Sequence, residues 1–211
     1  MRGLYLVTDR RLCGNISIED VVQQALVGGA VCIQLREKDV STRFFVEEAR
    51  RLKALADRFR VPLIINDRID VALAAQADGV HIGQHDMPYV ETRRLMGPEA
   101  IIGLSVETWD DVVNAEELDV NYLGVSPIFE TPTKTDTKGS WGMEGLARIR
   151  AYSRHPLVAI GGLNALNAKE AVMAGADCVA VVSAICAAPD PLRASREIND
   201  IIQEALKKRV A

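Results

Sequence analysis

The chain has no apolar stretch approaching the roughly 20 residues that a membrane helix requires. It also lacks a basic run. Its 25 basic and 29 acidic residues leave a formal net charge of -4, a poor match for nucleic acid or an anionic membrane. Any bound anion must then be held by a local cluster, not by the overall field. The four cysteines (Cys13, Cys32, Cys178, Cys186) show no metal-ligand spacing. Cys32 and Cys178 sit inside apolar runs and read as small core residues. Nothing calls for disulfides, so a reducing cytoplasm is the expected compartment. The opening Met1-Arg2-Gly3-Leu4-Tyr5-Leu6-Val7-Thr8-Asp9 meets acid too early for a signal peptide and reads as a strand. There is no strained nucleophile motif, no zinc spacing and no Asp-x-Lys-x-x-Asp pattern of barrel decarboxylases. Linkers and low-complexity segments are missing too.

What is present is a regular alternation of short apolar runs with amphipathic segments. Strands are expected at Gly3–Thr8, Val31–Leu35, Leu63–Asn66, Gly79–Ile82, Ile101–Leu104, Tyr122–Val125, Leu157–Ile160 and Cys178–Val182. Near-continuous apolar runs suit strands covered on both faces. Helical periods run through Ile18–Val27 and Phe44–Phe59. Ser17 and Ser41 stand where helix caps belong, and Gly28-Gly29 and Gly97 where helices should stop. Such alternation implies parallel strands with right-handed crossovers. Eight units in 211 residues predict an α/β protein with one domain over 1–211, a closed (β/α)₈ TIM barrel near the lower end of its usual size. An open doubly wound sheet fits less well, because the dinucleotide-type glycine fingerprint is missing after the first strand. A faint internal echo supports the repeat: Pro62-Leu63-Ile64-Ile65 leads to Ala77-Asp78-Gly79-Val80, and Pro156-Leu157-Val158-Ala159 to Ala176-Asp177-Cys178-Val179.

In a barrel of this kind the active site lies at the carboxyl ends of the strands, and there the polar residues gather. Gln34, Arg36 and Lys38 share one parity after strand 2 and should face the mouth. Arg36 offers a flat fork for phosphate oxygens and Lys38 a compact charge; a solvated run of paired surface charges is the plainer reading. Asp67 ends strand 3 and Asp86 follows strand 4. Two carboxylates with phosphate oxygens and water are a usual way to hold Mg²⁺, although Asp67 taken alone reads as a helix cap. His81 is an acid–base group or a hydrogen-bonded core or rim histidine, and His85 reads as loop. Ser105 ends strand 5 and either donates to a ligand or caps the helix starting near Glu107. Gly161-Gly162 and Val182-Ser183 suggest a phosphate site at the last two strand ends; a tight turn and an N-cap are the plainer alternative. The long connection from Ser126 to Gly142 is of the length that usually moves or functions. Two anion sites, one with metal, point to two phosphorylated small-molecule substrates. Stabilising the charge of a departing pyrophosphate is the chemistry this inventory suits.

Seven motifs in register resemble the thiamine-phosphate synthase family. They are Leu4-Tyr5-Leu6-Val7-Thr8-Asp9, Gln34-Leu35-Arg36-Glu37-Lys38, Asn66-Asp67-Arg68, Gly79-Val80-His81-Ile82-Gly83-Gln84, Thr131-Pro132-Thr133-Lys134, Ala159-Ile160-Gly161-Gly162 and Ala180-Val181-Val182-Ser183-Ala184-Ile185. The resemblance implies a transferase that joins a pyrimidine diphosphate to thiazole phosphate by a dissociative, Mg²⁺-assisted path. It implies that Gln34, Arg36, Lys38, Asn66, Ser105 and Lys134 bind the pyrimidine diphosphate, with Arg36, Lys38, Ser105 and Lys134 catalytic. It implies Mg²⁺ on Asp67 and Asp86, and thiazole phosphate on Thr131, Thr133, Gly162, Val182 and Ser183. Ser126, where the family usually has glycine, and Val106-Glu107 are departures at the pocket's edge. The stretch Lys138 to Met143 matches poorly, and Trp141 is given no role. A related barrel that tautomerises thiazole phosphate would not need Asp67, Asp86 and Lys134 together. A non-catalytic phosphate-metabolite binder would release no pyrophosphate. Partners are thus two small molecules, without nucleic acid or membrane, and homo-oligomerisation is left open.

Overall fold

The computed structural model describes residues 1–130 and 139–210. Eight parallel strands close into a barrel in the order β1 to β8, with β1 pairing β8 to complete the ring. They are β1 Gly3–Val7, β2 Ala30–Leu35, β3 Leu63–Asn66, β4 Gly79–Ile82, β5 Ile101–Val106, β6 Tyr122–Val125, β7 Leu157–Ile160 and β8 Cys178–Val181. Around them run α1 Ile18–Val27, α2 Thr42–Phe59, α3 Ile69–Ala75, α4 Tyr89–Met96, α5 Trp109–Ala115, α6 Gly142–Tyr152, α7 Ala168–Met173, α8 Ser183–Cys186 and α9 Pro191–Val210. The expected barrel is thus the observed one. No helix among the described residues is long and apolar enough to cross a membrane.

Helix starts follow side-chain chemistry. Ser17 accepts from Asp20 N and Ser41 from Phe44 N, each satisfying an N–H that the first turn leaves without a partner. Three expectations change. Ser105 caps nothing: β5 runs on to Val106, and Thr108 caps α5 in a reciprocal pair with Asp111. Asp67 is not a cap either, since α3 begins after Arg68 without a side-chain cap. Ser183 is the first residue of α8, whose cap position is Val182.

The strands' two-residue period sorts side chains into two cores. Leu4, Leu6, Ile33, Leu35, Leu63 and Ile65 point outward and pack beneath the helices with Val22, Phe45, Leu52 and Ala72. Tyr5, Val7, Cys32, Ile64, Tyr122, Val158, Cys178 and Ala180 fill the barrel interior. Cys32 and Cys178 are therefore core residues, as expected, and all four cysteines are free and buried.

The sequence echo has a structural meaning at the amino-terminal end of the barrel. Asp78 Oδ2 accepts from Leu63 N at 2.8 Å, and Asp177 Oδ2 from Leu157 N at 3.0 Å. The backbone answers in both places, Asp78 N to Leu63 O at 3.0 Å and Asp177 N to Leu157 O at 2.8 Å. Each aspartate ties one strand to the start of the next. Asn121 repeats the device toward Ile102 N at 2.8 Å.

Candidate active site

A cavity of about 650 Å³ opens at the carboxyl ends of the strands. Gln34, Arg36, Lys38, Asn66, Asp67, Asp86, Ser105, Gly162, Val182 and Ser183 all line it. Residues separated by up to 149 positions (183 − 34) therefore meet in one place. Thr131, Thr133 and Lys134 lie outside the described residues.

Strand parity explains the cation arm. Gln34 points inward at the end of β2, and Arg36 and Lys38 keep its side in the following loop. Arg36 is fastened from behind: its backbone N–H donates to Thr8 Oγ1 at 3.1 Å, and its guanidinium lies 3.9 Å from Asp9 Oδ2. Thr8 thus fixes the Arg36 backbone, and Asp9 faces its fork. Glu37 turns the opposite way, as alternation requires. It accepts from Arg10 Nε at 3.0 Å, and Arg10 also bonds the buried Glu48. Burial pushes the Glu37 carboxyl up to about 7, with the hydrogen-bonded Glu48 carboxyl adding to the rise.

The carboxylates come from neighbouring strands. Asp67 follows β3 with φ of 61°, the left-handed region that Asp and Asn tolerate better than most residues. Its backbone N–H donates to His81 O at 2.9 Å, which ties it to β4. Its Oδ2 takes Lys38 Nζ at 2.6 Å. Asp86 Oδ2 accepts from Gly83 N at 2.7 Å. Burial raises the Asp86 carboxyl, and the adjacent Asp67 charge and hydrogen bond raise it further against the pull of the Gly83 N–H. Two mutually repelling carboxylates on the wall of this cavity fit a divalent cation. No group of three or more His, Cys, Asp or Glu among the described residues could hold a metal by itself. That donor set suits Mg²⁺, which keeps waters and takes one or two carboxylates plus substrate phosphates.

The opposite wall is backbone. Gly161 and Gly162 have φ of 105° and 68°. A Cβ on either would lie 2.7 Å from Pro127 Cβ or 2.8 Å from Phe129 Cβ. The long sixth connection is pinned at both ends: Ile128 N and Phe129 N donate to Ile160 O and Gly161 O at 2.9 and 3.1 Å. At its far end Trp141 N returns to Pro127 O at 2.9 Å, and Trp141 Nε1 donates to Val106 O at 3.2 Å. Trp141 thus anchors this connection. Ser126 and Glu107, the two departures named above, line the cavity edge.

Deeper in, His81 is a hydrogen-bonded interior histidine: its ring nitrogens meet Ser105 Oγ at 2.8 Å and Tyr122 Oη at 3.0 Å. Tyr5 and Tyr122 were invisible as site residues because each sits within an apolar strand. Only their inward parity marks them.

The family model described as thiamine monophosphate synthase matches residues 4–185. The chain belongs to this family. It is 55% identical over 199 residues to the thiamine-phosphate synthase of Albidiferax ferrireducens, covering 94% of this chain and 91% of that one. The enzyme of the same name from Leptospira biflexa is 51% identical over 199 residues, covering 92% and 95%. Among solved structures, the thiamine phosphate pyrophosphorylase of Pyrococcus furiosus superposes with a TM-score of 0.89 at 39% identity, covering 97% of this chain and 96% of that one. Orotidine 5'-phosphate decarboxylase from Pyrococcus horikoshii shares only the fold, at 17% identity, with a TM-score of 0.66 and coverage of 94% and 99%. This member of the thiamine monophosphate synthase family is an enzyme, a transferase of thiamine biosynthesis.

Proposed function

We propose that this enzyme condenses 4-amino-2-methyl-5-hydroxymethylpyrimidine diphosphate with 4-methyl-5-(2-phosphoethyl)thiazole, giving thiamine phosphate and pyrophosphate. The observation that carries this reading is the convergence of Arg36, Lys38, Asp67 and Asp86 on one cavity. Two cations and two carboxylates at one wall suit a diphosphate bound with a divalent ion, whereas a phosphate monoester alone would not need the carboxylate pair. The same requirement separates this reading from thiazole phosphate tautomerisation.

Arg36, held by Thr8 and Asp9, offers its fork to the diphosphate, and Lys38 adds a point charge. Both gain energy as the leaving group collects charge, so they act on the barrier more than on binding. Asp67 and Asp86 would hold Mg²⁺, which supplies further charge neutralisation at the diphosphate when bound. Gln34, Asn66 and Ser105 orient the pyrimidine. Gly162, Val182 and Ser183, with Thr131 and Thr133, receive the thiazole phosphate. Lys134 is the third cation of this reading and would add its charge to the diphosphate. The C–O bond to pyrophosphate breaks first, and the thiazole nitrogen then bonds to the pyrimidine methylene cation. Neither step requires a protein nucleophile or a strong base. The buried, reduced cysteines suit a reducing compartment.

The test is a coupled pyrophosphate assay with each substrate omitted in turn. Release should require both substrates and Mg²⁺. Full-rate release under chelator removes the metal role; ligand binding without release makes the protein a binder.

A further inference from the structure

Five side chains form one continuous hydrogen-bonded chain across the barrel interior, from Gln34 on β2 to Ser105 on β5. Gln34 Nε2 donates to Tyr5 Oη at 2.8 Å, and Tyr5 Oη meets Tyr122 Oη at 2.9 Å. Tyr122 Oη meets His81 Nδ1 at 3.0 Å, and His81 Nε2 meets Ser105 Oγ at 2.8 Å. The rings are packed as well as bonded. His81 stacks on Tyr122 with centroids 5.5 Å apart, and Tyr5 meets Tyr122 edge-on at 6.0 Å. The barrel keeps room for them with two glycines. A Cβ on Gly103 would lie 2.1 Å from Tyr122 Cζ, and one on Gly124 would lie 2.7 Å from His81 Cε1.

Proton counting shows that this chain has a direction. A tyrosine has one hydrogen to give, and a neutral imidazole has one donor and one acceptor nitrogen. With the Gln34 amide N–H on Tyr5, the Tyr5 proton goes to Tyr122 and the Tyr122 proton to His81 Nδ1. His81 then carries its proton on Nε2 and gives it to Ser105. The Ser105 hydroxyl hydrogen is left for the cavity, while Gln34 Oε1 is the acceptor at the other end. Turning the Gln34 amide over reverses every link: Gln34 then presents N–H groups and Ser105 presents lone pairs. A mixture of the two senses strands a buried hydroxyl or ring N–H without an acceptor, which is unfavourable in a low-dielectric interior.

We propose that Tyr5, Tyr122 and His81 are positioning residues that couple Gln34 to Ser105, so that the two always present opposite hydrogen-bonding senses to the substrate. A ligand carrying both an amino donor and ring-nitrogen acceptors, such as an aminated heteroaromatic ring, is the chemistry such a pair recognises. In identifying that ring with the diphosphate substrate, the inference rests on the function proposed above; the coupling itself does not.

The decisive measurement is the tautomer of His81, read from its ring-nitrogen NMR shifts at pH 9, where an ordinary imidazole is neutral. In the native protein His81 should carry its proton on Nε2. Gln34→Glu, ionised at that pH, only accepts, so it should drive the proton to Nδ1. Adding Tyr122→Phe should cut the link and abolish that response. An unchanged tautomer in a folded Gln34→Glu protein overturns the proposal, as does a response that survives Tyr122→Phe. Kinetically, Tyr122→Phe should raise KM for the pyrimidine diphosphate about tenfold and leave KM for thiazole phosphate unchanged. Equal changes in both would mean general loosening and count against the coupling. If the native protein releases no pyrophosphate at all, the functional reading fails, and the NMR result still decides the coupling.

Discussion

Replacing Asp67 by Asn separates the metal role from a structural one. Asparagine preserves the side chain's volume and also tolerates the left-handed backbone, so φ of 61° imposes little new strain. The ion pair that is lost, Lys38 Nζ to Asp67 Oδ2 at 2.6 Å, joins side chains 52% and 24% exposed. A pair that open to solvent contributes about 0.5 kcal/mol, or roughly 1–2 °C in Tm for a chain of this size. The backbone bond from Asp67 N to His81 O is untouched. Stability should therefore hardly move. Loss of a metal ligand should lower kcat by about 100-fold or more, equivalent to about 2.7 kcal/mol of barrier. The assay is steady-state pyrophosphate release titrated with Mg²⁺, alongside thermal unfolding. Asp67→Asn should need far more Mg²⁺ and stay slow at saturation. A near-native rate with an unshifted Mg²⁺ requirement would reduce Asp67 to a partner for Lys38. A Tm loss beyond about 5 °C, more than 1 kcal/mol, would make it structural.

Because the Glu37 carboxyl lies above its unfolded value, at about 7, the folded state holds that proton more tightly. Its contribution to stability is full below the unfolded carboxyl range and is lost as pH rises through about 7. Chemical denaturation from pH 4.5 to 8 should show Glu37→Gln losing less stability with rising pH than the native protein; parallel curves would refute this. Gly162→Ala forces an L side chain to φ of 68° with its Cβ 2.8 Å from Phe129 Cβ. It should cost about 1–2 kcal/mol of stability and raise KM for thiazole phosphate, with the Mg²⁺ requirement unchanged in the same assay. Asp177→Ala removes the acceptor of Leu157 N at 3.0 Å and of Arg209 Nη2 at 2.9 Å. Leaving those donors unpaired should lower stability by roughly 3 kcal/mol and Tm by roughly 6–12 °C, by calorimetry, at a site remote from the chemistry.

Local pattern carried most of the architecture. The bounds of β3, β4, β6 and β7 agree with the apolar runs, because short strands buried on both faces leave continuous hydrophobic stretches. β5 was read two residues short, because Ser105 interrupts its run. Inside a barrel a polar residue facing the mouth still belongs to the strand, and nothing local distinguishes it from a strand end. Asp67 misled in the same way. Asn-Asp before a helical period is a cap pattern, yet the left-handed turn takes its carboxylate to Lys38 instead. The cation arm was legible because alternation alone sends Gln34, Arg36 and Lys38 to one side.

By itself, the order of residues determined the eightfold alternation, the inward parity of each strand, and the family, since these are written in neighbours a few positions apart. Only the closed ring decided which distant groups touch. Tyr5 and Tyr122 bond across 117 positions, and His81 and Ser105 across 24. A hydrogen bond depends on separation in space to a few tenths of an ångström; the register of β4 on β5 sets it for His81 and Ser105, and closure of β1 on β8 helps set it for Tyr5 and Tyr122 across the ring.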